Sequence, residues 1–262
     1  MKLLLIILLL FLTGCLFPAS PPKIYHKYYD PALLNNDISY LPKPMSLDAK
    51  KHTQYISVGY CEKDGFNEFD KYDELTSLQL SLSQGHTFKN MNIAYGAYGV
   101  SGFIQNGLIS ENEPYFFDKK KFSALGARGS VNYSINKGDF DFRLLGAEFS
   151  YSKEFGDFEA FRNAGFNKPT YYTAGNTSIF TAGFTSEAIM YVDEKRTIQL
   201  GARGFFGKSF NTLNYVGSEN DYPSRSPKVD NINIAFFGQY KHFFGVLEGS
   251  KGGAQGKLGY RF

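Results

Sequence analysis

Four histidines (His26, His52, His86 and His242), two cysteines (Cys15 and Cys61) and the acidic stretch "CEKDGFNEFDKYDE" at 61–74 are the residues suited to nucleophilic, acid–base or metal chemistry. A catalytic Ser–His or Asp–His pair needs its base within hydrogen-bond reach of the group it activates. The acidic stretch lacks the glycine at position 6 and the bidentate glutamate at position 12 of an EF-hand loop, so it reads as a solvated charged loop. Cys61 has no partner at zinc-ligand spacing. No catalytic residue, metal or cofactor is expected. A second set of charges, Arg128, Glu148, Glu187, Arg203, Lys257 and Arg261, recurs in segments that alternate apolar with polar residues. On a shared polar face they could pair across a narrow lumen and fill it, or line a small pore.

The composition narrows the elements able to position these groups. There are 26 Phe, 19 Tyr and 27 Gly with no Trp, a mixture that suits pleated, half-buried surfaces. A net charge of +3 without a basic stripe excludes a nucleic-acid footprint. Lys2 followed by the apolar run Leu3–Leu12 is an export segment, too short to span a bilayer as a helix. It ends in Leu12-Thr13-Gly14-Cys15, which resembles the bacterial lipobox. That resemblance implies removal of residues 1–14 as a signal peptide and acylation of Cys15, palmitate included, by the lipoprotein export machinery. Each buried methylene of such chains contributes about 0.8 kcal/mol to membrane attachment.

Residues 16–51 hold Pro18, Pro21, Pro22, Pro31, Pro42 and Pro44 and keep neither strand nor helix period, so residues 15–51 read as a lipidated tether or periplasmic cover. From about residue 39 to the C-terminus, "YLPKPMSLDAKKHTQYISVGY" and "NIAYGAYGVSG" are similar to outer-membrane β-barrel lipoproteins of unknown function from the Bacteroidota. The resemblance implies a location and a fold and carries no catalytic residue.

From residue 52 onward, apolar and polar-or-small residues alternate in segments of about ten, the expected pattern of strands facing lipid on one side and a lumen on the other. In 122–135, Leu125, Ala127, Val131, Tyr133 and Ile135 oppose Gly126, Arg128, Ser130, Asn132 and Ser134. "LGARG" recurs in 196–210 at matching phase, and Gly126 and Gly201 would let long side chains fold over them. In 139–153 the apolar face changes parity near Leu144-Leu145-Gly146, which predicts a β-bulge. With 52–60, 75–83, 91–101, 177–192, 229–241, 243–250 and 255–262, ten strands are expected, or eight if the final hairpin merges elsewhere. Long connections at 61–74, 102–121, 154–176 and 211–228 alternate with short ones, as in barrels with external loops and periplasmic turns. The clusters "YFF" at 115–117 and "TYY" at 170–172 fall in the long connections and suit an aromatic girdle, loop packing or a partner contact.

The expected fold is therefore all-β: a closed antiparallel up-and-down transmembrane barrel over 52–262. Leu258, Tyr260 and Phe262 at its end resemble the signal read by barrel assembly machinery. An even strand count puts both barrel ends at the short turns, and the expectation is an outer-membrane protein, anchored in outer-membrane lipids with its N-terminus on the periplasmic side. No histidine then reaches an external loop. The function read from this is non-catalytic, structural or concerned with passage or binding of small molecules whose identity the residues do not reveal. The alternatives are a soluble periplasmic lipid-binding barrel tethered at Cys15, and an outer-membrane lipid-modifying enzyme.

Overall fold

The computed structural model describes residues 28–34, 36–45, 48, 51–64, 74–105, 119–165, 172–210, 215–216, 230–250 and 253–262. In chain order its strands are β1 (Tyr28–Tyr29), β2 (His52–Asp64), β3 (Glu74–Thr87), β4 (Met91–Gln105), β5 (Lys119–Lys137), β6 (Phe140–Phe155), β7 (Tyr172–Ala174), β8 (Ser178–Tyr191), β9 (Ile198–Ser209), β10 (Tyr215–Val216), β11 (Asp230–Tyr240), β12 (Phe243–Ser250) and β13 (Gly253–Arg261). A helix, α1 (Asp157–Gly165), follows β6. Ten strands close into a barrel in which each pairs with its neighbours in sequence and β13 pairs with β2. The barrel pairings are all antiparallel, so the meander is up-and-down and leaves no open edge. The final hairpin is two full strands, paired from Phe243↔Tyr260 to Ser250↔Gly253, which settles the count at ten.

Alternation explains the strands, and burial follows it with the polarity of a soluble protein reversed. In β5, Arg128, Ser130, Asn132 and Ser134 are buried while Leu125, Val131, Tyr133 and Ile135 are exposed. The β6 bulge occurs where the parity breaks: its register with β8 slips between Arg143 and Gly146, and Leu144 and Leu145 both point outward. Several strands outrun their alternating segments on the long-loop side. β2 continues to Asp64 and β5 begins at Lys119, because there both faces turn polar while the ladder of hydrogen bonds goes on.

The short-turn rim is made by tight connections. Gly138 and Lys241 take left-handed φ values of 62° and 53°, the conformation that a two-residue hairpin needs. In the turn after β8, Asp193 accepts from the amides of Thr197 (3.1 Å) and Ile198 (2.7 Å) and from the Thr197 hydroxyl (2.7 Å). Desolvation is the largest single influence and raises its carboxyl, but these donors together outweigh it and hold the group below the usual aspartate value. At the opposite rim, β1, β7 and β10 form a small sheet and α1 packs beside it.

The segment before β2 departs from the tether reading. Leu33, Leu34, Ile38, Tyr40, Leu41 and Met45 are buried, as are Asp37, Lys43 and Asp48, because this stretch lies inside the barrel and not outside it. It enters beside β7 at the long-loop rim and ends near Arg261 and Gln199 at the short-turn rim. The described chain thus starts at the long-loop rim, while both ends of the barrel itself, His52 and Arg261, lie at the short turns as expected.

Candidate functional site

The lumen is the most elaborate polar environment among the described residues, and it is built by inward positions of the strands meeting the N-terminal segment. At the long-loop mouth, Tyr29, Ala32, Leu33 and Leu34 pack with Leu75, Ile104, Phe122, Phe158 and Ile179 into an apolar seal. Glu154 accepts from the Ala32 amide (2.5 Å) and from Arg162 of α1 (2.9 Å). Arg162 also donates to the carbonyls of Ala174 and Asn176, tying helix, β7 and segment together.

Deeper in, the carbonyl of Asp37 accepts from Arg128 Nε (2.7 Å) and Ser150 Oγ (2.8 Å). Glu248, paired with Lys257 at 3.3 Å, takes the Ser39 hydroxyl at 2.5 Å and the Tyr40 amide. The Tyr40 ring stacks on Phe237 with centroids 4.1 Å apart. Lys43 Nζ reaches Glu187 (2.5 Å), Asn132 (2.9 Å) and Ser130 (3.2 Å). Arg143 binds the other oxygen of Glu187 at 2.6 Å and the Pro44 carbonyl at 2.9 Å. Arg203 pairs with Glu148 and donates to Asn233 at 2.7 Å. At the exit, Asp48 receives Arg261 (2.9 Å), Gln199 (3.1 Å) and the Tyr191 hydroxyl.

These contacts follow one another down the barrel axis in the order of the segment's sequence. Pro42 and Pro44 suit such a path, since an extended chain without a ladder partner loses nothing by lacking an amide hydrogen. Charge is balanced: Lys43, Lys63, Arg128, Arg143, Arg162, Arg203 and Lys257 are buried with Asp37, Asp48, Asp141, Glu148, Glu154, Glu187 and Glu248. Ions so deeply desolvated are tolerated only when paired and hydrogen-bonded. Among the described residues, near-zero exposure on both the segment and the facing walls leaves no wide aqueous channel.

Of the six charges singled out from the sequence, Arg128, Glu148, Glu187, Arg203 and Lys257 are buried in this lumen and Arg261 lies at its exit. Gly126 and Gly201 sit under the rings of Tyr98 and Phe237, each of which a Cβ would strike. Sequence reasoning missed Asp37, Lys43, Asp48, Asp141, Arg143 and Glu248. The signal for the segment was its content: Leu33, Leu34, Ile38, Tyr40, Leu41 and Met45 are too many apolar residues for a solvated tether.

Outward, the apolar residues form a continuous belt. Leu258 is 76% exposed, Leu247 69% and Phe184 65%, far from the scattered singles of a soluble surface. Tyr133, Phe140, Tyr240, Phe243 and Phe262 gather toward the short-turn rim, and Tyr60, Phe103, Phe155, Phe180 and Phe210 toward the other. Leu258 and Phe262 are exposed on this outer surface, where the Tyr260 ring meets Phe243 and Phe262 edge-on. His52 and His86 adjoin, with Nδ1 atoms 2.5 Å apart, at the short-turn rim, and His242 stacks on Tyr260 there. No group of three metal-binding side chains occurs among the described residues. Cys61 is buried near Asn36, at 3.8 Å, and Cys15, His26, the loop at 65–73 and the "YFF" cluster lie outside the described residues.

No protein-family model and no curated protein matches the chain. Among solved structures, it is similar to the transport unit of the autotransporter AIDA-I from Escherichia coli (10% identity, 88% of this chain and 95% of that one, TM-score 0.44). The translocator domain of autotransporter NalP from Neisseria meningitidis gives 9% identity, coverage of 80% and 87%, and a TM-score of 0.41. Neisserial surface protein A gives 10%, 81% and 96%, and 0.35. The barrel here is established by its own strand pairing.

Proposed function

We propose that this chain is an integral outer-membrane β-barrel lipoprotein, acylated at Cys15, whose lumen is closed by its own N-terminal segment and whose role is structural and non-catalytic. The observation that carries the reading is the reversed burial, with ion pairs inside and a belt of leucine and phenylalanine outside, flanked by aromatic residues. Such a surface is stable only in lipid, where closed barrels satisfy every backbone group. The filled lumen favours a structural role over passage of small molecules, since passage would require residues 28–48 to leave. A soluble lipid-binding barrel is disfavoured because its apolar face would have to point inward. A lipid-modifying enzyme is disfavoured because the described histidines stand at the short-turn rim, away from the loops.

The test is electrophoresis of detergent-extracted protein with and without boiling, beside a Cys15→Ala variant fractionated from cells. The expected result is a mobility shift on boiling, with the variant still in the membrane. An unshifted band, with the variant released as soluble protein, overturns the reading.

A further inference from the structure

The N-terminal segment runs through the barrel from one mouth to the other, in the opposite sense to the strand that follows it. Tyr28 and Tyr29 pair in register with Tyr172 and Thr173 in the connection between β6 and β8, and the Ala32 amide binds Glu154 next to the end of β6. Twenty residues on, Asp48 is held by Arg261 and Gln199 beside the short turns, and His52 then starts β2 at that same rim. The strand therefore begins at the short-turn mouth only after the chain has already crossed the whole lumen. In barrels of this kind, short turns face the periplasm and long loops the exterior.

We propose that residues 28–48 carry the chain inward from the cell surface, so that the acylated Cys15 inserts into the outer leaflet: the lipid anchor is surface-exposed. This rests on the reading of the chain as a membrane-integral barrel lipoprotein. Twelve residues lie between Cys15 and Tyr28, and the thirteen Cα-to-Cα steps span at most about 45 Å when fully extended. The outer leaflet is at hand within that reach. The inner leaflet is accessible by two routes only. One is the lumen, which Tyr40, Lys43 and their partners occupy. The other passes through hydrocarbon alongside the barrel, where each unpaired backbone group costs several kcal/mol. A charged, filled lumen also cannot admit two or three acyl chains. The segment must be in place before β13 closes on β2, and the barrel assembles around it.

Epitope insertions in the full chain test this on intact cells: one between Pro22 and Lys23, one in the long connection at 217–229, and one between Glu194 and Lys195 in a short turn. The expected result is that the first two bind antibody as strongly before permeabilisation as after it, and the third only after it. Binding at 217–229 with none at 22–23 until permeabilisation overturns the proposal while leaving the membrane barrel intact. A surface signal from 194–195 alone means an inverted barrel and also overturns it. Release of the protein into the soluble fraction removes the underlying barrel reading instead. A Cys15→Ala variant that keeps the boiling-dependent mobility shift and the surface signal at 22–23 separates threading of the segment from its acylation.

Discussion

Lys43 is the residue on which the lumen's electrostatics turn, because it brings a cation from the segment to Glu187 while Arg143 holds that carboxylate from the wall. Lys43→Ala leaves Glu187 short of a partner in a desolvated site and should destabilise the barrel by about 3–5 kcal/mol, read from the denaturant dependence of the boiling-sensitive gel band. Lys43→Met with Glu187→Leu should cost less than the sum of the single changes, because the pair shares one interaction. At Gly126 the constraint is steric. Gly126→Leu would push Tyr98 off Ser150, a contact of 3.0 Å, and the same assay should register a loss of about 1–3 kcal/mol. The wall charges were legible from the sequence because strand period alone assigns a face. Arg143 was not, since it stands just before the slip at Leu144-Leu145 and the two halves of β6 count parity from different origins.

Elements differ in how plainly they show themselves. The ten barrel strands could be read from residue 52 onward because lipid on one side and a polar lumen on the other impose alternation. Beyond the pairing of Tyr28 and Tyr29 with β7, the described residues of the N-terminal segment form no ladder and follow no period, and their burial arises from contacts with residues far along the chain, which no local pattern encodes. The cap is likewise non-local: Arg162 joins α1 to the carbonyls of Ala174 and Asn176. Arg162→Ala should open this connection to protease between β6 and β8 while the barrel strands stay protected, with Glu154 still holding the Ala32 amide. On the outer face, Phe184 lies midway along β8, and Phe184→Arg should cost about 2–4 kcal/mol for unfolding from lipid vesicles, the penalty for a cation facing mid-membrane. On a water-exposed surface the same change would be nearly neutral.

As a whole, the molecule is a closed barrel turned inside out in polarity and corked by its own leading segment. Closure satisfies the backbone, the outer belt suits hydrocarbon, and balanced interior charge makes the buried ions tolerable in so narrow a space. The reversal of burial, the sealed long-loop mouth and the threaded segment belong together: an empty lumen would leave Glu187, Glu248 and Arg128 without the partners the segment supplies. Filling of the lumen by this segment can be measured as conductance across a planar lipid bilayer containing the purified wild-type protein. A lumen filled in this way leaves the membrane electrically silent. Steady, long-lived ion-conducting openings in the wild-type protein would contradict it.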